Sequence, residues 1–112
     1  MKMDLELKEL GHFIGTEKYY NVLGVNVTDG IYYIMQNGYS WFVTDIIAVI
    51  KIKLKNEPFL SIKLEIKDNK AKMIITDGNK KELYKQKYEY TNVKKELNLF
   101  YTNGVMMLSG EY

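Results

Sequence analysis

One three-residue phrase occurs three times in this chain: Thr28-Asp29-Gly30, Thr76-Asp77-Gly78 and Thr102-Asn103-Gly104. Each copy follows an apolar or β-branched run and precedes a strand-like one. Asp-Gly and Asn-Gly enter left-handed backbone angles at low cost, and tight hairpin turns require those angles. The phrase therefore predicts repeated chain reversal and a β-meander. It also presents acidic side chains, so a functional reading competes with the turn reading.

Hydrophobic periodicity fills in the elements between the turns. Leu60, Ile62, Leu64 and Ile66 alternate with Ser61, Lys63, Glu65 and Lys67, the pattern of a half-buried strand. Asp68-Asn69 reads as a two-residue hairpin turn, and Ala71, Met73 and Ile75 continue the inner face. In the next strand Tyr84, Gln86, Tyr88 and Tyr90 lie on one side, with Lys85, Lys87 and Glu89 on the other. Val22 to Val27 and Ile31 to Gln36 read as the first two strands, joined at Asp29-Gly30. Leu97 to Tyr101 and Val105 to Leu108 form the last hairpin. Between them, Thr91 to Lys95 reads as a looser stretch.

Between Tyr39 and Leu54 the period changes. Phe42, Val43, Ile46, Ile47 and Ile50 recur at helical spacing, with Ser40 as a candidate N-cap. This segment is apolar nearly all round, as expected of a helix buried against a sheet. Residues 3–10 predict a short N-terminal helix that Gly11 stops. The expected fold is α+β. It is a single domain over residues 1–112, an antiparallel meander of about six to seven strands with one buried helix at about 40–53 on one face.

Composition removes several classes of function. The chain has no cysteine, which excludes disulfides and thiolate metal sites. No signal-peptide pattern opens it, and the longest apolar stretch, Ile46 to Ile50, is too short to span a bilayer. A cytoplasmic protein without membrane contact is the expectation. All 16 basic residues are lysine. Arginine is the preferred bidentate reader of phosphate and guanine, so its absence argues against sequence-specific nucleic-acid recognition. Residues 1–50 carry 3 lysines against 6 acids, and residues 51–112 carry 13 against 8. That asymmetry suits electrostatic steering of a partner, or two solvated faces of differing sign.

Candidate chemistry is sparse. His12 is the only histidine, which leaves no triad with a spare base and no multi-histidine metal site. The Asp68-Asn69 and Asp77-Gly78-Asn79 turns lack the spaced ligands and closing glutamate of a calcium loop. No metal or cofactor is expected. Neither a phosphate-binding glycine loop nor a Gly-x-Ser-x-Gly elbow is present. Asp45 is an acid within the most apolar segment, where it must be paired or protonated. It is expected to cap a backbone or to accept a tyrosine hydroxyl. The catalytic alternative pairs it with Glu17, with help from His12. Ten tyrosines in so short a chain suit an interface. The expected partner-binding residues are Tyr19, Tyr20, Tyr84, Lys85, Lys87, Tyr88 and Tyr112.

Several landmarks together resemble a known family. They are Phe13-Ile14-Gly15-Thr16-Glu17-Lys18-Tyr19-Tyr20, then Thr28-Asp29-Gly30-Ile31-Tyr32-Tyr33, then Tyr39-Ser40-Trp41-Phe42-Val43-Thr44-Asp45-Ile46-Ile47-Ala48. Further along come Asp77-Gly78-Asn79, Leu97-Asn98-Leu99-Phe100-Tyr101 and the closing Leu108-Ser109-Gly110-Glu111-Tyr112. The chain resembles a family of small bacterial and phage proteins known only as a domain of unknown function. It departs from the family pattern where Ser40 splits the Tyr-Trp pair and where Gly110 interrupts Ser-Glu-Tyr. The resemblance implies no catalytic residues. It implies a phage or mobile-element setting, and hence a small non-enzymatic module that binds a host protein. Inhibition of a host defence system such as a CRISPR effector is the form it suggests. The alternatives are a small acid-base enzyme using Glu17 and Asp45, and single-stranded nucleic-acid binding through Tyr84, Lys85, Lys87 and Tyr88.

Overall fold

In a computed structural model, residues 19–91 and 93–111 are described, and they form an α+β fold with a seven-stranded, mostly antiparallel sheet. The strands are β1 (Tyr19–Val22), β2 (Val25–Thr28), β3 (Phe59–Lys67), β4 (Lys70–Thr76), β5 (Glu82–Tyr88), β6 (Leu97–Thr102) and β7 (Val105–Leu108). Their spatial order is β1-β2-β7-β6-β3-β4-β5. Only β3-β4-β5 is a simple meander. After β5 the chain returns to pair β6 with the other side of β3, and β7 then joins β2 in parallel. The predicted N-terminal helix at residues 3–10 lies outside the described residues.

The core lies between one sheet face and two consecutive helices. These are α1 (Asp29–Ile34) and α2 (Ser40–Lys53), joined by a kink at Met35–Tyr39 in which Asn37 and Gly38 leave helical geometry. Phe42, Val43, Ile46 and Ile47 of α2 are fully buried with Leu60, Ile62, Leu64, Met73, Ile75 and Leu99 of the sheet. Their spacing is the reason: period 3.6 on the helix and period 2 on the strands bring both apolar sets to one interface. Truncating one of these side chains, for example Leu64→Ala, costs about 2–5 kcal/mol by loss of transfer energy and the cavity left behind. Ser40 does not cap α2. It is the helix's first residue, and its hydroxyl donates back to the Met35 carbonyl at 3.0 Å. The break before it is made at Gly38, whose φ of 101° no continuing helix tolerates.

The three phrases build three different structures. Thr102-Asn103-Gly104 is the expected hairpin turn, with φ of 53° at Asn103 and 76° at Gly104. Asp68-Asn69 behaves likewise, at 52° and 63°. Thr76-Asp77-Gly78 opens a wider loop. The Asp77 carboxylate accepts from the amides of Asn79 at 2.8 Å and Lys81 at 3.3 Å. Thr28-Asp29-Gly30 is not a turn between strands. Thr28 is the N-cap of α1, and Ile31 to Gln36 is helical rather than the predicted second strand. The predicted first strand, Val22 to Val27, is itself a hairpin. It reverses at Leu23-Gly24, with φ of 53° and 91°.

Candidate functional site

The alternation of each strand sends one side-chain set to the helices and the other to the opposite sheet face. At the β3-β4-β5 end that opposite face is rich in lysine. Lys63, Glu65 and Lys67 come from β3, Lys70, Lys72 and Ile74 from β4, and Lys85 and Lys87 from β5. Lys72 lies directly opposite Glu65 on one side and Lys87 on the other. Lys67 and Lys70 are also cross-strand partners. Directly opposed like charges destabilise a sheet by a few tenths of a kcal/mol or more, roughly 0.2–1 kcal/mol. Glu65 offsets part of this. Its carboxylate lies 3.3 Å from the Lys63 ammonium and 3.5 Å from that of Lys72. The hydrogen bond from Lys63, with help from Lys72, holds the Glu65 carboxyl below its ordinary pKa. A concavity of about 600 Å³ opens at the hairpin end of the sheet, lined by Lys67, Lys70, Lys72 and Lys87, by the acids Glu65, Asp68 and Glu89, and by Ala71 and Tyr88 from the helix side.

The expected partner-binding residues do not form one patch. Tyr19 and Tyr20 lie on β1, at the opposite edge of the sheet from β5. Six strand spacings of about 4.8 Å put the two groups roughly 29 Å apart. Tyr19 is 59% exposed, whereas Tyr20 packs edge-on against Tyr32 with ring centroids 4.1 Å apart. Lys85 and Lys87 are exposed on the lysine face, and Tyr84 and Tyr88 are half-buried on the helix side. Tyr84 donates to Gln86 at 2.8 Å, and the Lys53 ammonium lies 5.4 Å from its ring. Tyr112, Glu17 and His12 lie outside the described residues.

Asp45 takes the structural role expected of it. The Tyr88 hydroxyl donates to its carboxylate at 2.8 Å, and Trp41 packs edge-on against the Tyr88 ring at 4.9 Å. Burial, reinforced by the hydrogen bond to the Asp45 carboxylate and its charge, pushes the Tyr88 hydroxyl pKa well above the ordinary tyrosine value.

A second polar cluster closes the far end of the sheet. After β7, a short 3₁₀ turn at Ser109–Glu111 folds back on the start of α1. Glu111 Oε1 accepts from the Thr28 hydroxyl at 2.6 Å and from the Leu108 amide at 2.9 Å, and its Oε2 accepts from the Gly30 amide at 3.3 Å. The Thr28 hydroxyl accepts in turn from the Ile31 amide at 3.4 Å. A capping box uses an N-cap threonine and a glutamate three residues on. Here Ile31 holds that third position, and the glutamate arrives from 83 residues away. A carboxylate at a helix N-terminus is also favoured by the helix dipole. Gly30 is required by proximity. A Cβ there would stand 2.6 Å from Glu111 Oε1 and 2.7 Å from Leu108 Cδ1.

Sequence reasoning picked out Lys85 and Lys87 but not Lys63, Lys67, Lys70 and Lys72 beside them. The signal was present in the outward positions of β3 and β4, yet it needed the pairing register to show lysine opposite lysine. Glu111 had only the closing motif to mark it. Among the described residues, no three of His, Cys, Asp and Glu converge as metal ligands, and no helix is long and apolar enough to cross a membrane. No curated protein and no solved structure matches the chain. A family model does match it, over residues 4–112, and the chain therefore belongs to that family, described as a family of unknown function (DUF6876).

Proposed function

We propose that this chain is a small, non-enzymatic binding module that docks its lysine face on an acidic protein surface. The observation that carries this reading is the Lys72–Lys87 pair, directly opposed across β4 and β5 and joined on the same face by Lys63, Lys67, Lys70 and Lys85. Such a pair costs stability in the free protein, and an acidic partner would repay that cost. Lysine offers compact, strongly hydrated charge on a flexible stem, so it favours a broad acidic surface over bidentate recognition of one group. Steering by this face would speed encounter and make it fall with salt. In the phage or mobile-element setting that the sequence resemblance implies, the partner is a host protein, and a component of a host defence system fits that setting.

Single-stranded nucleic acid is the competing polyanion. Stacking platforms place aromatic rings among the cations, whereas Tyr84 and Tyr88 lie on the other face from Lys85 and Lys87. Affinity capture from a bacterial lysate separates the two readings. The wild-type chain is expected to retain one acidic protein in stoichiometric amount, insensitive to nuclease and released by salt, and Lys87→Glu to lose it. Material released by nuclease instead would put nucleic-acid binding in its place.

A further inference from the structure

We infer that the acidic partner supplies an extended segment that adds to the sheet as an eighth strand along β5. This rests on the acidic-protein reading above and specifies how that partner is held. β5 ends the sheet. Its pairing with β4 is bulged at Leu83, and from Tyr84 to Tyr88 beyond the bulge the outward backbone N–H and C=O groups of alternate residues have no strand partner among the described residues. An edge of that length is a template for another strand. The opposite edge, β1, offers only four residues.

The side chains flanking β5 select what joins it. On one face Lys85 and Lys87 stand exposed two residues apart. Lys85 has an exposed pairing with Glu82 at 3.8 Å, too loose and solvated to hold it. On the other face Tyr84 and Tyr88, with Trp41 and Val49 of α2, form a half-buried border to the core. A strand added here would place acids opposite Lys85 and Lys87, and the apolar residues between them would complete that border. The segment the edge fits therefore alternates acidic and apolar residues. A second copy of β5 does not fit, because pairing it with itself sets Lys85 and Lys87 among lysines. The competing role for these two lysines is to keep the edge unpaired, a common use of lysine on edge strands.

The test uses the full-length chain and synthetic ten-residue peptides. One alternates glutamate and valine. A second is the same peptide with alternate backbone nitrogens methylated, and a third alternates lysine and valine. The first is expected to bind at low salt and to slow hydrogen exchange at the outward-facing alternate amides between Tyr84 and Tyr88. Methylation removes backbone hydrogen bonds, so binding should weaken by about tenfold or more. The double variant Lys85→Glu/Lys87→Glu should exchange preference and take the lysine peptide. The inference is overturned if methylation leaves affinity unchanged and the β5 amides exchange as before. It is also overturned if no acidic peptide binds while the chain still captures an acidic protein; in both cases the docking reading stands. If neither acidic peptide nor acidic protein binds, both fall together.

Discussion

The two ends of the sheet treat charge in opposite ways. At the β1-β2-β7 end, one carboxylate, Glu111, accepts three hydrogen bonds from Thr28, Gly30 and Leu108. Both its oxygens are used internally, and Thr28 beneath it is only 2% exposed. At the β3-β4-β5 end, lysines face lysines across the strands; Glu65 answers two of them, and Glu82 lies 3.8 Å from a third, Lys85. A polar cluster satisfied within the molecule stabilises the fold. A cluster left in mutual repulsion weakens it. The Thr28 corner is thus a clasp, and under the proposed docking reading the lysine face is a receiver.

The largest effect should come from breaking the clasp. Gly30→Val places a branched side chain where Glu111 Oε1 and Leu108 Cδ1 already stand within 2.7 Å of a Cβ. We expect a loss of about 3 kcal/mol in urea unfolding, at the upper end of overpacking costs. Intrinsic helix propensity favours a side chain over glycine by as much as about 1 kcal/mol, so a gain in stability would disprove the contact. Glu111→Ala should follow, at about 2 kcal/mol, because it strands the Thr28 hydroxyl and two amides. Glu111→Gln keeps an acceptor and should recover part of that loss. Neither variant should change the salt dependence of partner binding in the folded protein, because the clasp lies at the other end of the sheet.

The contrast between the two ends also explains how far the sequence could be read. β3, β4, β5 and α2 were legible because each carries a clean period, and Asp68-Asn69 and Asn103-Gly104 turn as their residues prefer. The Thr28 corner was not. Ile31-Tyr32-Tyr33-Ile34 has strand-favouring residues, and the glutamate that completes the helix start is 83 residues away. Tertiary hydrogen bonding there overrides local propensity. The parallel β2-β7 pair was hidden for the same reason, since no short turn announces it. In the lysine face, composition showed the excess of charge, but only the register showed its repulsion.

Between the two ends stands the Tyr88–Asp45 hydrogen bond, which ties α2 to β5. Tyr88→Phe removes the donor and should cost about 1 kcal/mol near neutral pH. Its pH dependence is the sharper test. The folded state holds the Tyr88 proton more tightly than the unfolded state does, so the associated stability is intact below the ordinary tyrosine pKa of about 10. As pH rises beyond that, the unfolded chain loses the proton first, and stability falls. The phenylalanine variant lacks this contribution. The gap between the two proteins' unfolding free energies should therefore narrow above about pH 10. A gap that stays constant would mean that Tyr88 titrates as an ordinary solvated phenol.

The smallest effect on stability belongs to the lysine face, and its sign decides the comparison. Lys87→Glu turns the Lys72–Lys87 opposition into an attractive pair. It should raise stability by about 0.5 kcal/mol, seen as a melting temperature higher by about 2–3 °C. The same change removes a charge from the proposed docking surface, so salt-sensitive capture of the acidic partner should be lost. Stability and binding then move in opposite directions, the mark of a residue kept for a partner at the fold's expense. If Lys87→Glu lowers both together, Lys87 supports the sheet itself, and the lysine face is a solvated surface like any other.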